Sequence, residues 1–460
     1  MKRKRNESLN SSDDFDLPDD CWKLVFQFLN DDDDDNNKRH FLKSLSVASK
    51  HFLSVTNRHK FSLAISDQTL PSLPRLFQRF TNLTSLDFKR FCGDLDPLLC
   101  QISTFPLNLT SLNFSNHPII PQNGLRVFSQ NITTLTSLNC SCMDCIDSTD
   151  LFLIADCFPL LEELILSNPI DINDCTKFLV GVESRSLGFS KLRKANLSGN
   201  YYLNDKMIFH LFKSCKILEE VVMFKCDKIT TTGIALALHE RPTLKSLSFT
   251  DYFKWDNCVT LIALVRICPL ISEISVKHNC IGKRSVADSN SLMDFVVSPQ
   301  LKSLRFTHSS WLKDENIKMF SSIFPNLHRL DLSDCSGISN QGIYHVLKSC
   351  CDIRHLCLAD CSKVNLHRLN FDVPKLEVLD LSYTRVDDKT LYAIAKSCRG
   401  LLQLLLQNCC DVTEKGVERV VENCTQLREI NLRDCHKVDA NVVTTMITSR
   451  PSLRKIIVLS

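Results

Sequence analysis

Apolar and polar positions follow one recurring order along most of the chain, L-x-x-L-x-L-x-x-C/N. The pattern starts at Leu83, Leu109, Leu135, Leu161, Leu192, Leu218, Leu244, Ile271, Leu301, Leu327, Ile353, Leu376, Leu401, Leu427 and Leu453, and nine of its fourteen intervals are 26 residues. Whole words recur, as NLTSLDF from Asn82, NLTSLNF from Asn108 and TLTSLNC from Thr134. In LHRLDLSDC, Leu327 to Cys335, Leu330 and Leu332 alternate with Arg329, Asp331 and Ser333. That is the two-residue period of a short strand with one face buried and the other open. The period then changes: Ile338 is placed to plug the core, Ser339 to cap a helix, and Ile343, Val346 and Leu347 to form one helical face. Each unit is therefore expected to be one strand and one returning helix. A single unit cannot bury its own apolar face, so neighbours must stack into a shared core.

A 26-residue period with a cysteine or asparagine after the strand resembles the cysteine-containing subclass of leucine-rich repeats, over residues 80–460. The turns CDKITTTGI at Cys226, CSGISNQGI at Cys335 and CDVTEKGV at Cys410 match it as well. The resemblance implies an α/β fold, a leucine-rich-repeat solenoid with a curved parallel sheet and outer helices, over residues 83–460. The repeats starting at Leu109, Leu161 and Leu301 lack the cysteine or asparagine, and Ala195 and Val221 are small for core positions.

Two sets of the 23 cysteines keep the same register. Cys226, Cys335, Cys361, Cys409 and Cys435 fall where the chain leaves the strand, a slot that Asn200 and Asn279 fill in other units. A small buried side chain there can donate to the backbone of its turn. Cys215, Cys268, Cys350, Cys398 and Cys424 stand three residues before the next repeat start, at the helix end. Spread one per unit, they read as buried thiols, which behave as small hydrophobes, rather than as disulfides, metal ligands or nucleophiles. CSCMDC, Cys140 to Cys145, has the best zinc spacing, but Cys140 is an inward strand position and no fourth ligand is in evident reach. No metal or other cofactor is expected.

The segment before the repeats has a different character. Pro18 with Asp19 and Asp20 suits a helix start, where proline loses no hydrogen bond and carboxylates favour the dipole. Trp22, Val25, Phe26 and Leu29 follow at helical spacing, and Phe41, Leu42, Leu45, Ala48, Phe52 and Val55 make a second amphipathic pattern. The bland reading is a cap on the first repeat, since a solenoid must shield its open edges. The order Leu17-Pro18, Val25-Phe26, Leu29 and LSVASKHFL from Leu45 also resembles an F-box, standing before leucine-rich repeats as in F-box/leucine-rich-repeat proteins of a plant-like kind. That resemblance implies docking on a Skp-type adaptor, and through it on a cullin, by Leu17, Pro18, Val25, Phe26, Leu29, Leu45 and Lys50. Ala48 stands where a larger aliphatic residue is common, and the acidic run Asp31–Asp35 lengthens the loop between the helices. The expected organisation is a disordered basic and polar start over residues 1–16, the F-box over 17–65, a linker or cap over 66–82, and repeats from 83.

Charge changes the picture little. The 55 basic and 52 acidic residues leave a formal charge of +3, which points to neither nucleic acid nor a membrane surface. The N-terminal MKRKRNESLNSSDDFD lacks a signal-peptide core, and no run of about 18 apolar residues follows. The expectation is a soluble chain of the cytoplasm or nucleus, with no nucleic-acid or membrane partner. It holds no nucleotide loop, no H-E-x-x-H, no G-x-S-x-G and no zinc-ring spacing, so an enzyme is not expected.

A protein partner would meet the outward strand positions and the turns after them. Aromatic and basic anchors concentrate in the middle and C-terminal units: Phe224, Lys277, Arg305, Arg329, His355 and Tyr383. The turns GNYYL, TDYFKWDN and SSWL break the repeat with aromatics, and Tyr202, Phe253 and Trp311 are expected to form a rim, while Trp255 fills a core slot. The F-box resemblance implies the substrate-recognition subunit of an SCF-type ubiquitin ligase, which holds an unknown target protein for ubiquitination and proteasomal degradation. Two alternatives stay open: a small-molecule (hormone) co-receptor in the same complex, with Lys277, Arg305 and Arg329 as a basic floor, and a ligase-independent scaffold or inhibitor.

Overall fold

The computed structural model describes residues 21, 25, 47, 50–58, 60–143, 146–168, 187–251, 258–278, 296–439, 442–450 and 452–458. They belong to two compact units, Met1–Phe114 with Asn123–Leu135, and Ser115–Gln122 with Thr136–Ser460.

The first unit holds parallel strands β1 (Ser62–Ser66), β2 (Ser85–Arg90) and β3 (Ser111–Asn113), with Leu63 opposite Leu86 and Leu86 opposite Leu112. Ile65, Leu86, Phe88 and Phe114 are fully buried, and the Phe88 and Phe114 rings pack 5.3 Å apart. The strand ladder thus begins at Ser62, earlier than the expected repeat start at Leu83. Residues 66–82, expected as a linker or cap, carry a helical turn, Leu70–Ser72, and a helix, Leu73–Arg79. The reason is local: Leu63 and Ile65 alternate with polar neighbours, which suffices to extend a ladder that already has Leu86 to pair with.

In the second unit, parallel strands follow in chain order. They are β4 (Ser137–Asn139), β5 (Glu163–Ile165), β6 (Lys194–Asn196), β7 (Glu220–Met223), β8 (Ser246–Asp251), β9 (Glu273–His278) and β10 (Ser303–Thr307), then β11 (Arg329–Asp331), β12 (His355–Cys357), β13 (Val378–Asp380), β14 (Gln403–Leu405), β15 (Glu429–Asn431) and β16 (Lys455–Ile457). Their register stacks one core residue on the next: Leu304, Leu330, Leu356, Leu379, Leu404 and Ile430 lie opposite one another and are buried. The unit at Leu327 follows its pattern closely. Ile338, Ile343, Val346 and Leu347 are buried, and Ser339 caps the helix Asn340–Ser349 by accepting from the Gln341 N–H at 3.3 Å.

The turn cysteines join units rather than closing their own turns. Between neighbouring strands the backbone ladder passes over one carbonyl: Leu332 N–H donates to Cys357 O and Asp334 N–H to Ala359 O. The Leu332 carbonyl between them takes the thiol of Cys361, from the next unit, at 3.1 Å. The same donation runs from Cys226 to Leu197 O, Cys335 to Phe306 O, Cys409 to Leu381 O and Cys435 to Leu406 O, at 3.0–3.3 Å. Asn200 makes it with its amide, to Leu166 O at 2.8 Å. The expected donation to the own turn holds for Asn200, to Leu197 O at 2.8 Å, and for the thiols is a longer contact, 3.6 Å from Cys226 to Phe224 O and 3.8 Å from Cys335 to Ser333 O. At Phe306 and Leu332 the thiol spares a buried carbonyl the cost of about 1–3 kcal/mol of going unpaired, whereas Leu197, Leu381 and Leu406 O also accept from their own turns. The second cysteine set works alike at the helix ends, where Cys268 donates to Arg241 O and Cys424 to Cys398 O. Cys140 is fully buried, as an inward strand position, and among the described residues no group of three metal-ligating side chains comes together.

The residue just before each cysteine slot adopts the left-handed conformation: Asn116, Cys142, Gly199, Lys225, His308, Asp334, Asp360, Tyr383, Asn408 and Asp434 have φ between 56° and 76°. Most carry a side chain despite its cost of roughly 1 kcal/mol or more outside glycine and asparagine. The glycine of the repeated turn answers a different demand. The Asp314 carboxylate, at the first turn of one helix, accepts from both the N–H and the hydroxyl of Ser339, the cap of the next. A Cβ on Gly342 would lie 2.5 Å from that carboxylate. Asp205 with Thr230 and Gly233, and Asp388 with Thr413 and Gly416, repeat the arrangement.

Tyr202, expected at an aromatic rim, is buried at 9% exposure, and its hydroxyl has no hydrogen-bond partner. Trp311 is half-buried, edge-on to the core ring of Phe306 at 5.8 Å. Phe253 and Trp255 lie outside the described residues.

Three stability outcomes are expected. Gly342→Ala forces the Asp314 carboxylate off the Ser339 cap and should lower stability by about 1–3 kcal/mol in urea unfolding; an unchanged midpoint would contradict the clash. Tyr202→Phe removes a buried hydroxyl that pairs with nothing, so the melting temperature should hold or rise, and a fall would mean the hydroxyl is bonded. Burial pushes the Cys335, Cys398 and Cys409 thiols up to about 12 and those of Cys350, Cys361 and Cys424 to about 11. Above about pH 9 the unfolded thiols lose their protons first, so their stabilisation is complete below that pH and is lost as pH rises towards 12. Urea midpoints should fall steeply between pH 9 and 11, and Cys361→Ser should flatten that slope by up to about 1.4 kcal/mol per pH unit.

Candidate functional site on the open strand face

Alternation along each strand turns one side chain of every pair away from the core, and the register gathers these into rows across the second unit. The row at the strand starts runs Glu220, Ser246, Glu273, Ser303, Arg329 and His355. Two residues further along each strand, Val222, Ser248, Ser275, Arg305, Asp331, Cys357 and Asp380 make a second row. Small hydroxyl residues leave parts of this surface low, and long side chains stand up beside them.

At the C-terminal ends of the strands the low and high parts enclose a cleft of about 480 Å³. Phe224, Lys225, Lys277, Arg305 and Asp331 line one part of it, and Ser141, Ser167, Asn168 and Ser198 another. Lys225 is held there by its left-handed backbone (φ 56°), whose N–H donates to Thr250 Oγ1 at 2.9 Å. Arg305 Nε lies 2.9 Å from Asp331 Oδ2, so one edge of the guanidinium is anchored and half of the side chain stays exposed. Lys277 stands opposite Thr307 in the register and has no carboxylate partner among the described residues.

Beyond Arg305 the face turns acidic. Cys357 lies between Asp331 and Asp380 and points its Sγ at Asp380 Oδ2 at 3.4 Å. Burial first, and then these two carboxylates, push its thiol up to about 12. It keeps its proton at neutral pH and is no nucleophile. His355, opposite Arg329 in the register, has its pKa lowered, by burial first and by Arg329 second, so the ring stays neutral at neutral pH.

The predicted target-binding residues therefore divide. Phe224, Lys277 and Arg305 meet in the cleft. Arg329 and His355 are neighbours on the same face, outside the cleft lining. Tyr383 is exposed, in a left-handed turn, and its hydroxyl accepts from Gln407 Nε2 at 2.9 Å. Tyr202 and Trp311 belong to the packing described above. Ser141, Ser167 and Ser198 went unnoticed because the repeat template leaves their positions free, and only the shared register of β4, β5 and β6 aligns them. Of the adaptor residues, Leu17, Pro18, Phe26, Leu29 and Leu45 lie outside the described residues. Val25 is helical and 39% exposed, and Lys50 opens the helix Lys50–Arg58.

Among the described residues, no helix is long and apolar enough to cross a membrane. No protein-family model matches the chain. The chain is 27% identical over 221 residues to F-box/LRR-repeat protein 4 of Bos taurus, a match covering 46% of this chain and 35% of that protein. It therefore spans about a third of the length of that curated relative. Among solved structures it is similar to one in the Rad7 and Elc1 complex of yeast, at 16% identity and a TM-score of 0.49, covering 96% of this chain and 90% of the other. It is also similar to one in the TLR13–ssRNA13 complex, at 16% identity and a TM-score of 0.47, covering 85% and 55%. With its one-strand, one-helix units stacked in chain order, the second unit is a leucine-rich-repeat solenoid, and the chain is similar over 46% of its length to an F-box/LRR-repeat protein.

Proposed function

We propose that the chain is the substrate-recognition subunit of an SCF-type ubiquitin ligase. In this reading the segment 17–65 docks on a Skp-type adaptor and through it on a cullin, and the open strand face holds a target protein for ubiquitination. The observation that carries it is the pairing of a repeat stack similar to an F-box/LRR-repeat protein with an N-terminal segment ordered as an F-box. Val25 and Val47 are helical and stand 39% and 79% exposed, which suits a segment that keeps apolar side chains for a partner. The subunit itself does no chemistry. It raises the effective concentration of target lysines near the conjugating enzyme, which fits thiols held protonated by burial along the stack. The role requires a cytoplasmic or nuclear location.

Co-purification with a Skp-type adaptor tests the reading, with the native chain compared with a Leu17→Ala, Pro18→Ala double variant. The native chain should retain the adaptor and the variant should lose most of it while keeping the same melting temperature. Native chain that retains none would return residues 17–65 to the role of a cap and leave a ligase-independent scaffold as the better account.

A further inference from the structure

We infer that the cleft at the C-terminal ends of β4–β11 captures an acidic segment of the target protein. This rests on the proposal that the open strand face is where the target binds, and it adds the chemistry of what is recognised.

Charge selects the ligand's sign. Lys277 and Arg305 are the cations the ligand would meet in the cleft, and Asp331, which also lines it, is engaged by the Arg305 Nε. Beyond that Nε contact, Arg305 makes no further hydrogen bond among the described residues, so its Nη edge can receive a carboxylate in two parallel bonds. Carboxylates flank this region on two sides. Glu220 and Glu273 occupy the strand starts, and Asp331 and Asp380 follow on β11 and β13. Glu273 and the later carboxylates disfavour an anionic ligand beside the cleft, while Glu220 is paired with Lys194 at 3.6 Å, so the C-terminal ends of β9 and β10 are where the cleft is cationic.

Spacing selects an extended chain over a compact anion. Lys277 stands opposite Thr307, two residues beyond Arg305 on the neighbouring strand, so the two cations are one strand apart across the sheet and two residues apart along it, about 8 Å in all. Alternate side chains of an extended peptide repeat at roughly 7 Å, which lets successive acidic residues meet successive cations. A single small anion would leave at least one cation out of reach. The lining continues to Ser141 and Ser167 on the β4 and β5 side, where hydroxyls can bond the peptide backbone, and Phe224 offers an apolar wall. A volume of about 480 Å³ accommodates a few residues, and the adjoining face is open to the rest of the partner.

The test is fluorescence anisotropy on the full chain, with a fluorescein-labelled decapeptide of alternating Glu and Gly, at 50 and 300 mM NaCl. Native protein should bind at low salt and weaken as salt rises. Lys277→Glu should lose tenfold or more, and Arg305→Gln severalfold, with melting temperatures unchanged. Lys194→Glu, at the start of β6 outside the cleft, should stay within twofold. Equal loss in Lys194→Glu, or no binding by the native chain, would overturn the inference. So would binding of sodium tripolyphosphate alone with no affinity for the decapeptide, which would make the cleft a small-anion site. The adaptor co-purification is run on the same protein. Native chain that keeps the adaptor but ignores the peptide sinks this inference and leaves the ligase reading standing, whereas peptide capture without adaptor retention supports the inference and sinks the ligase reading.

Discussion

One backbone carbonyl per unit, skipped by the strand ladder and buried, sets the terms for the rest of the structure. Where the chain bends from strand into turn through a left-handed residue, the ladder loses a donor for the carbonyl at the strand end. The next unit supplies one, from a side chain short enough to fit and apolar enough to be buried, beside an own-turn donor where there is one, as at Leu197, Leu381 and Leu406. A thiol does this at five described positions and an amide at Asn200. A thiol is a weak donor, yet at Phe306 and Leu332 it spares a buried carbonyl from being unpaired, and at Leu197, Leu381 and Leu406 it fills a second acceptor position. The large cysteine content of the chain is in good part a consequence of this geometry.

A second seam runs along the helices. The aspartate of one first turn holds the hydroxyl and N–H of the next cap, and the following glycine makes room for the carboxylate. Where they occur, the two seams lock a unit to its neighbour at the strand end and at the helix start. Core leucines then need only fill volume between them, and the outward strand positions are free of structural duty. That freedom lets the same stack present serines near β4, cations near β9 and acids near β11. Function on this face is a matter of which side chains register brings together, not of any one motif.

Particular residues show where reading the sequence succeeds. Ser339, Ile338 and Ile343 sit as the change from a two-residue to a helical period requires, because that period directly reports which side chains face the core. Tyr202 shows the opposite case: nothing in GNYYL says which tyrosine turns inward, and only the burial of its ring does. β1 was hidden for a related reason. Its Leu63 and Ile65 are too few to form a repeat by themselves, and become one only against Leu86. In the cleft, Phe224, Lys277 and Arg305 were visible as outward anchors, but their meeting with Ser141 and Ser198 follows from strands far apart in the chain.

The sequence by itself determined the unit, its period, its core positions and the slots of its cysteines, because each is dictated by contacts within one repeat or with an identical neighbour. It also carried the F-box-like order of the N-terminal segment. Only the tertiary structure decided where each thiol donates, why the turn glycine is needed, and which outward side chains share a cleft. Those depend on distances between residues roughly one or more repeats apart, and an alternating pattern carries direction but no distance.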